Sequence, residues 1–246
     1  MDSSIENQTT AAQGFLKGLR AGAPIAVGYL PSAMAFGILA RTAGLTECET
    51  IFMSCVVYAG ASQFVAVNLY MLGAALPEIV LATLVLNMRL IMMSSAISKK
   101  MLPGIGRLAK MWIGFELTDE SFSVLAMRTE DKLSADFQIG VNFLGHWTWT
   151  LGSLIGWLGT SILPNSVQDS MGIAIYALFI GLLIPSIRRN RKGLIVAAAA
   201  MALSAFIKWT PCLNAMLNRG FAIMLAAGAA ALFGAIAAPV SEGGER

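Results

Sequence analysis

Charge is the first thing this sequence has little of. Only 13% of its 246 residues are Asp, Glu, Lys or Arg, whereas soluble domains average about 25%. Meanwhile 57% are hydrophobic, and the mean hydropathy is +0.70. A soluble chain of this length needs more polar surface than that, so the composition points to a membrane protein. Histidine is nearly absent: the single His146 excludes a histidine-based metal cluster and leaves no Ser/His/Asp set to build a hydrolase from. The three cysteines, Cys48, Cys55 and Cys212, are too few and too scattered for a disulfide framework. There is no GxxxxGK[ST] loop and no HExxH, so neither ATP hydrolysis nor zinc hydrolysis is encoded, and no cofactor is expected. The net charge of +3 comes without a basic stripe interleaved with aromatics, which excludes a nucleic-acid role.

What is present is a series of apolar segments. The polar start "MDSSIENQTTAAQ" lacks the basic start and early apolar run of a cleaved leader, so the first hydrophobic stretch is expected to be a permanent span. Candidate spans lie at 21–40, 51–75, 77–98, 111–128, 137–163, 171–187, 193–209 and 221–239. That is seven or eight transmembrane helices, depending on whether 111–128 crosses. The chain reads as one membrane domain over 1–246, with polar tails at 1–15 and 240–246. Two three-span units in opposite orientation would make an inverted 3+3 repeat, as transporters often have. Lys17 and Arg20 place the N-terminus inside, as does "RRNRK" (188–192) for the loop it occupies. The loop 99–110, with Lys99, Lys100, Arg107 and Lys110, objects: it falls outside in the eight-span arrangement. Making 111–128 re-entrant moves that loop inside but puts the N-terminus outside.

Several polar groups lie at membrane depth. In "FELTDESFSV" (115–124), a continuous helix would gather Glu116, Asp119, Glu120 and Ser123 on one face and Gly114, Leu117, Phe122 and Leu125 opposite. Ionisable groups at that depth cost about 2.5–3.5 kcal/mol on insertion scales and usually pair or line a pathway. The bland alternative is an amphipathic surface helix. "LNMRL" (86–90) puts Asn87 and Arg89 near the middle of the third span, where Arg89 needs an anion or water. A polar stripe, Thr83, Asn87, Ser94 and Ser98, shares that span. In the first span Gly28 and Pro31, and in the second "YAGASQF" with Gly60, Ser62 and Gln63, suggest helix breaks that would offer backbone groups to a ligand. The fifth span carries Asn142, Gly145, Trp149, Gly152 and Gly156 on one face. There "GSLIG" (152–156) suits close helix packing, and Trp147 and Trp149 are pocket walls or interface anchors. For His146 a packing hydrogen bond is the simpler reading than a proton relay.

In their order and spacing, "GYLPSAMAFGILARTAGLT" (28–46), "AGASQF" (59–64), "LNMRL", "TDESFSV" (118–124), "TWTLGSLIGWLG" (148–159) and "FIGLLIPSIRRNRKGLIVA" (179–197) resemble the AzlC-like branched-chain amino-acid permeases. The resemblance covers most of residues 14–239. One departure is Leu90, where family members often carry histidine after the Asn-x-Arg element. The resemblance implies a large subunit of a bacterial inner-membrane secondary exporter. It would carry branched-chain amino acids, and methionine in some members, together with a small hydrophobic AzlD-like subunit. A zwitterion with an aliphatic side chain needs an anion-binding group, a cation-binding group and an apolar pocket. Arg89 or freed amides would take the carboxylate, and Asp119, Glu120 or freed carbonyls the ammonium. Two rival classes are a non-transporting membrane scaffold, in which these residues are helix glue, and a passive channel.

Overall fold

The computed structural model of the chain describes residues 2–162, 191–210 and short helical stretches at 225–226, 228–230 and 232–234. Among the described residues there is no β-strand, only an isolated bridge between Met101 and Leu133. The helices are α1 (Asp2–Thr42), α2 (Glu47–Phe52) running into a π-helical turn (Met53–Val57), α3 (Gly60–Met71), α4 (Leu76–Lys100), α5 (Arg107–Phe115), α6 (Asp119–Ala126), α7 (Ala135–Gly159) with a 3-10 turn (Thr160–Ile162), and α8 (Arg191–Trp209). Two compact units are distinguished, Met1–Phe64 with Thr83–Asp169, and Val65–Ala82 with Ser170–Arg246.

Ala11–Thr42 of α1 and all of α4 are long and apolar enough to cross a membrane. α7 matches α4 in length, and its Gln138, Asn142 and His146 are all buried. The spans expected at 21–40, 77–98, 137–163 and 193–209 thus coincide with helices. The span expected at 171–187 lies outside the described residues, and the one at 221–239 mostly so.

In the first unit α1 packs principally on α7, and glycine makes this possible. A Cβ on Gly18 would stand 2.2 Å from the Phe137 carbonyl oxygen, on Gly22 2.2 Å from that of Val141, on Gly37 1.9 Å from that of Ser153, and on Gly156 2.0 Å from that of Met34. The two backbones are therefore in direct contact. The contacting numbers rise together along both helices, so α1 and α7 run parallel. The packing role read for Gly152 and Gly156 is borne out. The break expected at Pro31 is not: α1 continues through Pro24 and Pro31. Pro31 is exposed, and nothing approaches Gly28 within 4 Å, so both lie away from the α7 seam that holds the helix together.

The second expected span is broken, as "YAGASQF" suggested. α2 opens with a capping box, in which the Thr46 hydroxyl accepts from the Glu49 amide and the Glu49 carboxylate accepts from the Thr46 amide. The helix loosens into the π turn and stops at Tyr58, whose φ of 41° is left-handed, a conformation uncommon outside glycine. α3 begins two residues later. The fourth segment is broken too, and this corrects the one-face reading of its acids. α5 ends at Glu116, and Thr118 caps α6, accepting from the Ser121 amide while the Ser121 hydroxyl accepts from the Thr118 amide. Asp119 and Glu120 then fall in the first turn of a new helix, where acids complement its dipole. Glu116 belongs to the preceding helix and does not share their face.

The second pair of half-helices turns back on itself. Gly114 of α5 faces Ser94 of α4, and Asp119 at the start of α6 faces Arg89, so α5 runs antiparallel to α4 as far as the middle of that helix. α6 then returns, and Lys100 at the end of α4 donates to the carbonyls of Ala126 and Arg128, both at 2.8 Å. Leu133, just before α7, exchanges backbone hydrogen bonds with Lys100 and Leu102. The end of α4, the end of α6 and the start of α7 therefore lie together. At the opposite end of α7, Arg41 donates to the Trp157 carbonyl at 2.9 Å and the Trp157 indole donates to the Leu45 carbonyl at 3.0 Å.

Candidate functional site at two facing helix breaks

Both breaks reach the middle of the long helices. Gly60 and Gln63 of the first meet Trp149 of α7, and a Cβ on Gly60 would stand 2.7 Å from the Trp149 ring, so only glycine fits under the indole. The indole N–H donates to the Gln63 amide oxygen at 2.9 Å. The Gln63 amide nitrogen donates to the Ser54 hydroxyl at 3.3 Å, and Ser54 donates to Ser153 at 2.9 Å. Ser54, Gln63 and Ser153 are wholly buried. Ser62 donates to the Ala59 carbonyl at 2.8 Å and accepts from Asn87 of α4 at 3.2 Å. Trp149 and Gln63 thus hold the first break against α7, and Ser62 holds it against α4.

The second break is held from α1 and α4. Tyr29 of α1 hydrogen-bonds with Thr118 at 2.7 Å and donates to the Glu120 carboxylate at 2.5 Å. Arg89 of α4 donates to and ion-pairs with Asp119, both side chains remaining more than a third exposed. Arg89 also keeps a buried Nε without a partner, and Asn87 a buried Oδ1. Glu116 is buried, 3.7 Å from His146 Nδ1, with its second oxygen unpartnered. The Tyr58 ring lies 4.5 Å from the His146 ring, centroid to centroid, and the Cys55 thiol 3.8 Å from its Nε2, so the His146 imidazole touches residues of both breaks.

Alongside, α4 and α5 border a cavity of about 290 Å³ lined by serine hydroxyls (Ser94, Ser95, Ser98), Lys110 and apolar side chains (Ile97, Met101, Ile113, Leu117). Ser94 and Ser98 belong to the polar stripe expected on the third span, and Ser95 joins them. The arrangement offers a fixed cation, a fixed anion and a lined cavity within a few turns of α4, a donor set suited to a small zwitterion with an aliphatic side chain.

Of the ten candidate residues, Gly60, Ser62, Gln63, Asn87, Arg89, Glu116, Asp119, Glu120 and Trp149 are gathered at the two breaks. Pro31 is not brought in. Sequence reasoning missed Tyr29, Tyr58 and Ser54, which carry no mark separating them from packing residues. It undervalued His146, because its acidic partner becomes visible only once the chain is folded.

Comparison with known proteins identifies the family. The family model described as AzlC protein matches residues 24–163. The chain is 28% identical over 210 residues to Inner membrane protein YgaZ of Escherichia coli, covering 83% of this chain and 86% of that one. It is 34% identical over 192 residues to an uncharacterized membrane protein of Archaeoglobus fulgidus (77% and 84%). It is 30% identical over 172 residues to the Branched-chain amino acid transport protein AzlC of Bacillus subtilis (69% and 66%). No solved structure matches significantly. Membrane-named relatives, a transport-named relative and a family match over more than half of its length lead to one conclusion: the chain belongs to the AzlC family.

Proposed function

We propose that the protein is the large subunit of a secondary transporter in the bacterial inner membrane. Its substrates are branched-chain amino acids (leucine, isoleucine, valine) and methionine, exported at the expense of the proton gradient together with a small AzlD-like subunit. The observation that carries this reading is the meeting of two broken helices at the middle of α4, with Arg89 and Asp119 set as a cation–anion pair. Broken helices at mid-depth are how transporters present polar groups to substrate without exposing backbone to lipid. In the bound state the substrate carboxylate replaces Asp119 on Arg89, the ammonium takes Asp119, and the aliphatic side chain enters the cavity between α4 and α5.

The same geometry supports a topology that removes the sequence's charge conflict. α4 ends beside the start of α7, and α7 runs parallel to α1. If α1, α4 and α7 each cross, the chain leaves α1 and enters α4 on one face of the membrane, and leaves α4 and enters α7 on the other. Both broken segments, 47–71 and 107–126, are then re-entrant, one from each face. Their halves are too short to cross a hydrocarbon core of roughly 30 Å at 1.5 Å per residue. Lys17, Arg20, Lys99, Lys100, Arg107, Lys110, Arg128 and Lys132 all come to the inner face, and Glu47, Glu49 and Glu78 to the outer. The spans expected from the sequence at 171–187, 193–209 and 221–239 would then put "RRNRK" inside as well. α1–α2–α3 and α4–α5–α6 become an inverted pair, each a full crossing followed by a re-entrant break.

The test is counterflow of labelled leucine and methionine in proteoliposomes holding the chain and its small partner, with and without a pH gradient. Saturable counterflow that is lost in Arg89→Ala and Asp119→Asn is expected. Normal flux in both variants would refute the site, and non-saturable flux without coupling would indicate a passive channel.

A further inference from the structure

α7 carries a file of buried polar side chains that the substrate site does not use. Gln138, Asn142, His146 and Thr150 follow one another at four-residue spacing, on one face of the helix. They are only 0%, 2%, 5% and 5% exposed. Each has an atom without a hydrogen-bond partner: Gln138 Oε1, both Oδ1 and Nδ2 of Asn142, His146 Nδ1 and Thr150 Oγ1, joined by Glu116 Oε2. Buried polar groups are almost always satisfied, and ordered water is the usual partner where protein is not. The unmet atoms include both donors and acceptors, a lining that suits water better than an ion of fixed sign. The file spans about 18 Å of helix, twelve residues at 1.5 Å each. At its start the Gln138 amide donates to the carbonyls of Leu133 and Ser134. Those two residues help line a cavity of about 670 Å³ that also carries Lys17, Arg20, Arg128 and Lys132.

We propose that this file is filled with water and carries a proton between that inner-face cavity and the Glu116–His146 pair. Its role as the transporter's coupling site rests on the reading above. The terminal water gives a proton to a Glu116 oxygen and takes one from the next water of the file, and so on back to the cavity, whose bulk water supplies the proton. At each step one O–H bond breaks as another forms, no hydroxide is left behind, and the pair goes from a net charge of −1 to neutral. That proton is then held by the carboxyl or, after transfer, by His146 Nδ1, leaving carboxylate beside imidazolium. At 3.7 Å the two are too far apart for a direct hydrogen bond, so a water of the file bridges them. The groups facing the pair are Cys55 and Tyr58 from the first break and Trp112 and Phe115 from α5, with Tyr29 of α1 and Glu120 of α6 next to Tyr58. Among the described residues no lysine or arginine pairs with Glu116, and Arg89 is engaged by Asp119.

The experiment is time-resolved infrared spectroscopy of the full chain in lipid vesicles, following hydrogen–deuterium exchange of the Glu116 carboxyl, its band assigned by loss in Glu116→Gln. Rapid exchange is expected in the wild type. It should be about tenfold slower or more in Asn142→Leu, where the file is plugged and exchange needs local opening. Asn142→Ser keeps a polar, roomier path and should exchange at the wild-type rate. If Asn142→Leu does not fold, Gln138→Leu serves as the plug. Wild-type exchange in a folded plugged variant overturns the proposal, and so does the absence of any exchangeable band lost in Glu116→Gln. Leucine counterflow in the same vesicles keeps the two readings apart. No counterflow with normal infrared behaviour removes the coupling role and upholds the water file.

Discussion

The bond between Trp149 and Gln63 pins the first helix break to α7, and its removal can be worked out quantitatively. Gln63 is wholly buried and Trp149 nearly so, and their hydrogen bond is 2.9 Å long. Gln63→Leu keeps the volume but leaves the indole N–H without an acceptor, at a cost of about 1–3 kcal/mol. Trp149→Phe leaves the Gln63 oxygen without its donor, again about 1–3 kcal/mol, plus a void where the second ring was. In the double variant neither orphan exists, so its destabilisation should fall short of the sum by about 1–5 kcal/mol, both orphan costs less the roughly 1 kcal/mol net worth of the bond, outside the roughly 0.5 kcal/mol scatter of independent sites. The assay is equilibrium unfolding in mixed detergent micelles followed by circular dichroism, since Trp149 fluorescence is itself removed. Additive effects within that scatter would mean that the bond is not formed in the folded protein, and the first break would lose its principal tether.

Three further outcomes follow from the same contacts. Gly60→Ala brings a methyl group to 2.7 Å from the Trp149 ring; it should cost about 1–3 kcal/mol by overpacking and reduce flux with it, read in the same unfolding assay and in counterflow. Gly37→Ala and Gly156→Ala place a methyl 1.9 and 2.0 Å from backbone carbonyl oxygens, which cannot rotate away. Each should reach the upper end of that same range of about 1–3 kcal/mol, measured by thermal unfolding, whereas Gly28→Ala, with open space around it, should not. Arg89→Ala and Asp119→Asn should separate stability from function. Both side chains are more than a third exposed, so breaking the pair should cost about 1 kcal/mol or less, while leucine counterflow is lost. A loss of folded protein in proportion to flux would favour the scaffold reading.

Much of this was legible in the chain, and the failures have physical causes. Hydropathy marked α1, α4, α7 and α8 because long apolar helices need no partner to be recognised. The break at "YAGASQF" showed through its glycine and small residues. The break inside "FELTDESFSV" was misread, because spacing alone places Glu116 with Glu120. The competing signal was Thr118 with Ser121 three residues on and acids between them, the mark of a helix start rather than a helix middle. Pro31 was overvalued, since a proline in a helix held against α7 by glycine contacts does not interrupt it. Tyr29, Tyr58 and the pairing of Glu116 with His146 could not be read at all, because they depend on which helices lie side by side. The basic loop 99–110 conflicted with the eight-span arrangement, and making 111–128 re-entrant moved the conflict to the N-terminus.

The central claim is that the two breaks enter from opposite faces, and labelling with a membrane-impermeant thiol reagent tests it most directly. Cys48, exposed in the first turn of α2, is compared with single cysteines at Ala75, between α3 and α4, at Gly106, before α5, and at Thr129, between α6 and α7, each in a background otherwise free of cysteine. Positions 48 and 75 should react from the outside of intact cells, and 106 and 129 only after the membrane is opened. Labelling of 48 and 75 from opposite faces, or of 106 and 129 from opposite faces, would contradict that claim.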